Sequence, residues 1–332
     1  MRKYFTLFLI FQFLSCQQNH NLIYKRLEGV ALGTTFHITY EDELDQITEK
    51  HVDSLIHSIN KSMSTYIATS DLSKINHGDS TIIVDAMFQE VFEKSKRISK
   101  ETEGFFDPTI GVLVNAWGFG PEKDSIQIDS AHVKELLQYV GFDKLSIQNG
   151  RVQKQYPQTY IDFNAIAKGY TVDVIGRFLE KKSVTNYLVE IGGEIRARGI
   201  NEKLKPWSIA IEKPNFDGTR SFQSYIFLQN ESIATSGNYR KFKIDEKTGM
   251  KFAHTIDTKN GYPSKSNLLS ASVIGIVDCA DVDAYATAFM AMGLEKSKDF
   301  LLNHKDLKAF LIYSDIDGTI KNYHTDNLGV EE

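Results

Sequence analysis

The sequence predicts an α+β fold, a single mixed domain of antiparallel-rich sheets and packed helices over residues 27–332. Three observations carry this. Helical periodicity dominates the first half, as in Ile47, Val52, Leu55, Ile56 and Ile59, which share one face. From Tyr187 onward, short strand-like runs alternate with turn residues. No internal repeat, low-complexity tract or long linker divides the chain. Its 332 residues, 42% apolar and 24% charged, suffice for a large core in a globular protein. A net charge of -5 with scattered basic residues argues against nucleic acid as a partner.

Residues 1–15 read as a signal peptide: Arg2 and Lys3 precede an apolar stretch, Tyr4 to Leu14, too short to span a bilayer as a helix. The ending Phe13-Leu-Ser-Cys16 resembles the lipobox of bacterial lipoproteins, in which the Cys is acylated, although Phe13 stands where Leu, Val or Ile is usual. Ordinary cleavage and a buried strand are the alternatives. On the lipobox reading, residues 16–26 form a lipidated polar tether, and the protein is anchored to a membrane of the bacterial envelope, facing the periplasm. Cys16 and Cys279 are the two cysteines, so a lipidated Cys16 leaves no disulfide framework, and Cys279 is expected to be buried as a small apolar residue.

A strand is expected over Val30 to Tyr40, then helices over Glu43 to Met63 and Ala86 to Thr102. Gly104-Phe-Phe-Asp-Pro108 breaks the chain, Trp117-Gly-Phe-Gly-Pro121 opens a polar loop, and Ser130 to Val140 reads as another helix. A short strand is expected to end at Asp162. Asn164 then caps a helix carried by Ile166, Val172, Ile175 and Leu179. Eight strands follow between Tyr187 and Ile276, then a helix from Asp281 to Met292 ending at Gly293, and a strand from Lys308 to Tyr313.

The start of the Asn164 helix breaks local rules. Lys168 sits in the first turn, where the helix dipole favours an anion, and Gly169 is about 1 kcal/mol worse than Ala in a helix. Either a phosphate-bearing ligand lies against Lys168 and a bare backbone, or Lys168 is solvated and Gly169 admits a close neighbour. A second constellation is Asp283 and Thr287, four apart on a helix and so on one face, with Val282, Ala286, Phe289 and Met292 left to the core. Two hard oxygen ligands suit Mg²⁺; a capping Asp and an incidental Thr are the plain reading. Ile191-Gly-Gly-Glu194 and Thr235-Ser-Gly-Asn-Tyr-Arg240 read as turns that either aim amides at an anion or simply close hairpins. His254 ends a strand before the turn Thr258-Lys-Asn-Gly261. No glycine-rich dinucleotide fingerprint or Walker loop is present. The triplet Ser58-Ile-Asn-Lys61, Ser236-Gly-Asn238 and Lys247-Thr-Gly249 does not fit penicillin-binding chemistry, because its last two pieces share one hairpin.

Taken in order, Ala31-Leu-Gly-Thr34, Met63-Ser-Thr-Tyr66 with Ser70-Asp-Leu72, Phe106-Asp-Pro108 through Gly120, Asp162 to Asp173, Gly192-Gly193, Thr235-Ser-Gly237, His254 to Gly261 and Asp283 to Thr287 resemble the ApbE family. Its members are flavin transferases that use FAD and Mg²⁺ to attach FMN to a protein. The resemblance implies that Leu32, Ser70, Asp71, Leu72, Trp117, Asp162, Lys168 and Ile256 contact FAD. It likewise implies that Asp283, Thr287 and the Ala165 carbonyl hold the metal. Four positions depart from the family's pattern: Leu32 replaces the usual Met, Phe163-Asn164 the usual Leu-Gly, and Thr258 a common Pro. The implied reaction moves FMN from FAD to a Ser or Thr hydroxyl of an acceptor flavoprotein and releases AMP. His254 is the expected base, with Asp257 as the alternative. The family's acceptor pattern, Asp followed by Ser/Thr-Gly-Ala-Ser/Thr, is not found in this chain, so the acceptor is expected to be a separate protein. Hydrolysis of FAD to FMN and AMP, and flavin binding without turnover, are the competing expectations.

Overall fold

The computed structural model describes residues 23–42, 45–122, 128–215, 219, 221–238, 242–244 and 251–331, with the backbone alone at 242–244 and 251–253. The expected signal peptide, Cys16 and the Lys247-Thr-Gly249 turn lie outside these residues. In chain order the elements are β1 (Tyr24–Ala31), β2 (Thr34–Glu41), α1 (Glu49–Met63), α2 (Asp71–Asn76), α3 (Ala86–Glu101), α4 (Gly111–Ala116), α5 (Ser130–Leu137), β3 (Leu145–Gln148) and β4 (Arg151–Lys154). They continue with α6 (Ala167–Lys181), β5 (Tyr187–Ile191), β6 (Glu194–Arg198), β7 (Trp207–Glu212), β8 (Phe222–Leu228), β9 (Ser232–Gly237), β10 (Phe242–Ile244), β11 (Lys251–Ala253) and β12 (Leu268–Gly275). The chain closes with α7 (Cys279–Met292), α8 (Leu294–Asn303), β13 (Leu307–Ser314), β14 (Ile320–His324) and β15 (Val330–Glu331).

An eight-stranded antiparallel sheet in the order β1-β2-β5-β6-β9-β12-β13-β14 forms the frame. Helices α6 and α7 pack on one face of it, with α1 and α3 outside them. The three-stranded sheet β15-β8-β7 covers the other face, burying Trp207, Ile211, Ile226 and Leu228 against Ile195, Ile233, Ile274 and Phe310. Central strands are therefore covered on both sides, and β12 is buried from Ser270 to Gly275. A smaller cluster of Leu113, Val133, Val140 and Ile256, joined by Trp117, fills the space around α4 and α5.

Several expected elements change. The Val30 to Tyr40 strand is a hairpin: the alternation runs on through Leu32, which turns the chain at φ 50° beside Gly33 at φ 76°. Strand β1 also begins at Tyr24, inside the stretch expected to be tether. Thr235-Ser-Gly237 is not a turn; it is the end of β9 paired with Ser270 to Ser272 of β12. Tyr160 makes an isolated bridge to Ile110 instead of a strand. Asn164 is not the cap of α6, which starts at Ala167 after Ile166, and it is absent from the residues with positive φ.

Helix α7 is buried on nearly every side, so the expected division into a core face and an outer face fails. Five alanines, at 280, 284, 286, 288 and 291, keep its girth small enough for this. Gly169 gives it room on α6: a Cβ there would sit 2.6 Å from the Cys279 carbonyl carbon and 2.8 Å from Ala280 Cα. Of the two readings of Gly169, the structure supports close packing. Cys279 is fully buried at the start of α7, and burial pushes its thiol well above the ordinary value. An ionic network centred on the buried Arg196 and Asp173, with Asp278 and Glu180 partly exposed, ties the layers together. Arg196 of β6 donates to Asp173 at 2.8 Å, Asp278 at 2.9 Å, Glu180 at 3.1 Å and the Tyr187 hydroxyl at 3.0 Å.

Candidate active site

A cavity of about 1070 Å³ opens at one end of the large sheet, between the β5–β6 turn, the end of β9, the start of α6, α7, strand β7 and the loops at 63–67, 105–110 and 254–258. Its volume is at the upper end of the roughly 300–1,000 Å³ of small-molecule sites. Phe105, Ile110, Val114, Phe119 and Ile256 make one part of the wall apolar, whereas Asp162, Lys168, Glu194, Asp283 and Thr287 make another part charged and polar.

The charged part is assembled from three elements. Lys168 lies in the first turn of α6, Glu194 begins β6 after the Gly192-Gly193 turn, and Asp283 with Thr287 projects from α7. Lys168 pairs with Glu194 and keeps 31% of its side chain toward the cavity. Burial would lower its pKa, but the charges of Glu194 and Asp283 outweigh this and raise it. Asp283 is 3% exposed; burial raises its carboxyl above the usual range against the pull of Lys168 and a 3.0 Å hydrogen bond donated by Gly169 N. Glu194 is raised by burial, opposed by Lys168 and reinforced by Asp283. Its Oε2 is buried without a hydrogen-bond partner. Two buried carboxylates thus share one ammonium, an arrangement short of positive charge.

That shortage is what a divalent cation would relieve. Asp283, the Thr287 hydroxyl and Ala165 all line the cavity and are hard oxygen donors. Among the described residues, no three His, Cys, Asp or Glu side chains gather as a ready-made cage. The set therefore suits a cation that keeps waters and shares substrate oxygens, as Mg²⁺ does. Thr287 Oγ1 lies 3.2 Å from Ser236 Oγ, which fixes it toward β9.

The other residues singled out from the sequence divide clearly. Leu32, Asp162, Lys168, His254 and Ile256 line the cavity along with the three oxygen donors. Asp162 is raised by burial and accepts a 2.7 Å hydrogen bond from Asn164 N. Asn164 Nδ2 in turn donates to Thr65 Oγ1, stitching this loop to the 63–67 wall. Ser70, Asp71 and Leu72 are not among the lining residues: Ser70 caps α2 and Leu72 is fully buried, and the nearby Ser64, Tyr66 and Ile67 line the wall instead. Trp117 braces from behind, its indole donating to Gly261 O at 2.8 Å and its ring 5.7 Å from that of Tyr262. Asp257 closes its own turn, accepting from Lys259 N at 2.8 Å and Asn260 Nδ2 at 2.6 Å. At the β5–β6 turn, Gly193 N donates to Glu190 Oε1 at 2.7 Å, within the hairpin, and Gly192 N donates to Thr35 O of β2 at 3.1 Å, so both amides are already engaged. Glu194 escaped the sequence reading; the signal for it was its place directly after the paired glycines.

Known proteins share this sequence and fold. The family model described as ApbE family matches residues 32–311. A protein of Haemophilus influenzae named FAD:protein FMN transferase is 37% identical over 90% of this chain and 88% of its own length. One of the same name from Escherichia coli K12 is 31% identical over 86% and 83%. The solved flavin transferase ApbE of Vibrio cholerae superposes with a TM-score of 0.81 at 33% identity, covering 92% of this chain and 98% of that one.

Proposed function

The chain belongs to the ApbE family, and from that premise we infer that it is an Mg²⁺-dependent FAD:protein FMN transferase. The observation that carries the reading is one cavity with an apolar wall for a ring system beside Lys168, Asp283 and Thr287. The flavin ring lies against Ile256, Phe119 and their neighbours, and Lys168 neutralises the diphosphate. Asp283, Thr287 and the Ala165 carbonyl would hold Mg²⁺, which when bound would withdraw charge from the phosphate oxygens. His254, on the cavity wall, accepts the proton of an acceptor Ser or Thr hydroxyl. That oxygen forms a bond to the FMN phosphorus, the diphosphate P–O bond breaks, and its electron pair leaves with AMP. The product is a phosphoester between FMN and the acceptor.

Incubation with FAD, Mg²⁺ and a protein bearing the acceptor pattern tests this. A fluorescent acceptor band on a denaturing gel supports transfer. Free FMN and AMP without a band would make the chain an FAD pyrophosphatase, and neither product would leave a flavin-binding protein. His254→Ala should lose transfer while retaining FAD binding; transfer at the wild-type rate removes His254 as base. The stretch Arg2 to Cys16 further supports export and lipid anchoring at Cys16 in the envelope. Failure of labelled palmitate to enter the wild-type protein in cells would overturn that part.

A further inference from the structure

Lys168 has two carboxylates within its field, Glu194 and Asp283, and it pairs with Glu194. The choice matters because Asp283 is useful as a cation ligand only while Lys168 does not occupy it. Glu194 is firmly placed to hold the ammonium. It is 1% exposed, it begins β6 directly after the paired glycines, and the turn before it is tied to Glu190 within the hairpin and to Thr35 of the adjacent β2. Its second oxygen, Oε2, is buried without a partner in the wall of the same cavity. On the other side, Asp283 Oδ2 accepts a 3.0 Å hydrogen bond from Gly169 N, the residue next to Lys168, which holds this carboxylate beside the first turn of α6.

Resting on the proposed function, we propose that Glu194 is a positioning residue that draws the Lys168 ammonium away from Asp283, keeping Asp283 open to a divalent cation and Lys168 aimed at the substrate diphosphate. Without the Glu194 charge, Asp283 is the remaining carboxylate facing Lys168 in the cluster, and the buried ion pair they form competes directly with Mg²⁺. Groups that orient metal ligands typically matter by about 10–100-fold in metal affinity, and a loss of about 10-fold or more is expected here.

The test is Mg²⁺ titration of the full chain by calorimetry, with FAD present and acceptor absent, for wild type, Glu194→Gln, Glu194→Asp, Lys168→Met and the double variant Lys168→Met/Glu194→Gln. Thermal melting in EDTA checks that each is folded. Glu194→Gln should bind Mg²⁺ about 10-fold or more weakly, and Glu194→Asp should restore part of the loss. In the Lys168→Met background, Glu194→Gln should have no further effect on Mg²⁺ affinity, because no ammonium remains to be diverted. Wild-type Mg²⁺ affinity in folded Glu194→Gln overturns the inference. So does an equal loss with and without Lys168, which would mean that Glu194 meets the cation itself. If wild type takes up no Mg²⁺, the metal-dependent reading of the function fails along with the inference. If wild type binds Mg²⁺ and transfers FMN while Glu194→Gln behaves like it, the inference alone fails.

Discussion

Replacing Gly169 by Ala separates two opposite expectations. By helix propensity alone, Ala would stabilise α6 by about 1 kcal/mol. Against that, the new Cβ would lie 2.6 Å from the Cys279 carbonyl carbon and 2.8 Å from Ala280 Cα, and both obstacles are backbone. Carbon atoms in contact sit near 3.5 Å, so α7 must retreat by about 1 Å. Overpacking of this kind costs up to about 3 kcal/mol, leaving a net loss of about 2 kcal/mol and a Tm lower by roughly 4 °C. The retreating segment carries Asp283 and Thr287, and a displacement of about 1 Å in a reacting site is worth about 100-fold in rate. Differential scanning fluorimetry and the acceptor-band assay read the two effects. A Gly169→Ala protein that melts above wild type and transfers flavin at the wild-type rate would refute the reasoning.

Three further outcomes are expected. Asp283→Asn removes one of two buried carboxylates that share Lys168, so it should melt no lower than wild type in EDTA while losing both transfer and hydrolysis; a folded, active variant would remove Asp283 from the site. Arg196→Ala strips Asp173, Asp278 and Glu180 of their shared cation and should cost about 3–5 kcal/mol in urea unfolding, or prevent soluble expression; a loss under 1 kcal/mol would show that the network contributes little. Asp278 is pushed upward by burial, but Lys94, Arg177 and Arg196 outweigh this and hold it at about 2. A depressed acid stabilises the fold above the unfolded value and loses that contribution as pH falls from about 4 to 2, here about 1–2 kcal/mol after allowing for partial exposure. Asp278→Asn should flatten that limb of the stability curve, and an unchanged acid slope would contradict it.

The class of fold and most long elements were legible because their apolar periods are unambiguous: the helix expected over Ala86 to Thr102 is Ala86–Glu101, and the strand expected over Lys308 to Tyr313 lies within Leu307–Ser314. Boundaries failed where a residue acts against its type. Leu32 hides a hairpin because a β-unfriendly φ of 50° leaves no mark on an alternating run. Ser236 and Gly237 look like a turn but lie in a strand, where neighbours in β12 supply the pairing that their own propensities do not. Lys168, Asp283 and Thr287, which line one cavity, stood out in the sequence because helical spacing makes them odd or adjacent. The Lys168–Glu194 pair did not, because 26 residues and a crossing from helix to sheet separate the partners. Asp283 was expected on an outer face, since nothing in α7's own pattern says that the helix is buried on nearly every side.

That enclosure limits how the protein can change. A helix surrounded by α3, α6, β9 and β12 has no partial opening available to it, so its amides should exchange with solvent only when the whole domain unfolds. Substitutions that retune partner choice are therefore expected at the rim, where strand β7 and the 63–67 loop border the cavity. The interior helix holds Asp283 and Thr287 in place, so a change on that rim alters the surface around the cavity mouth without moving them.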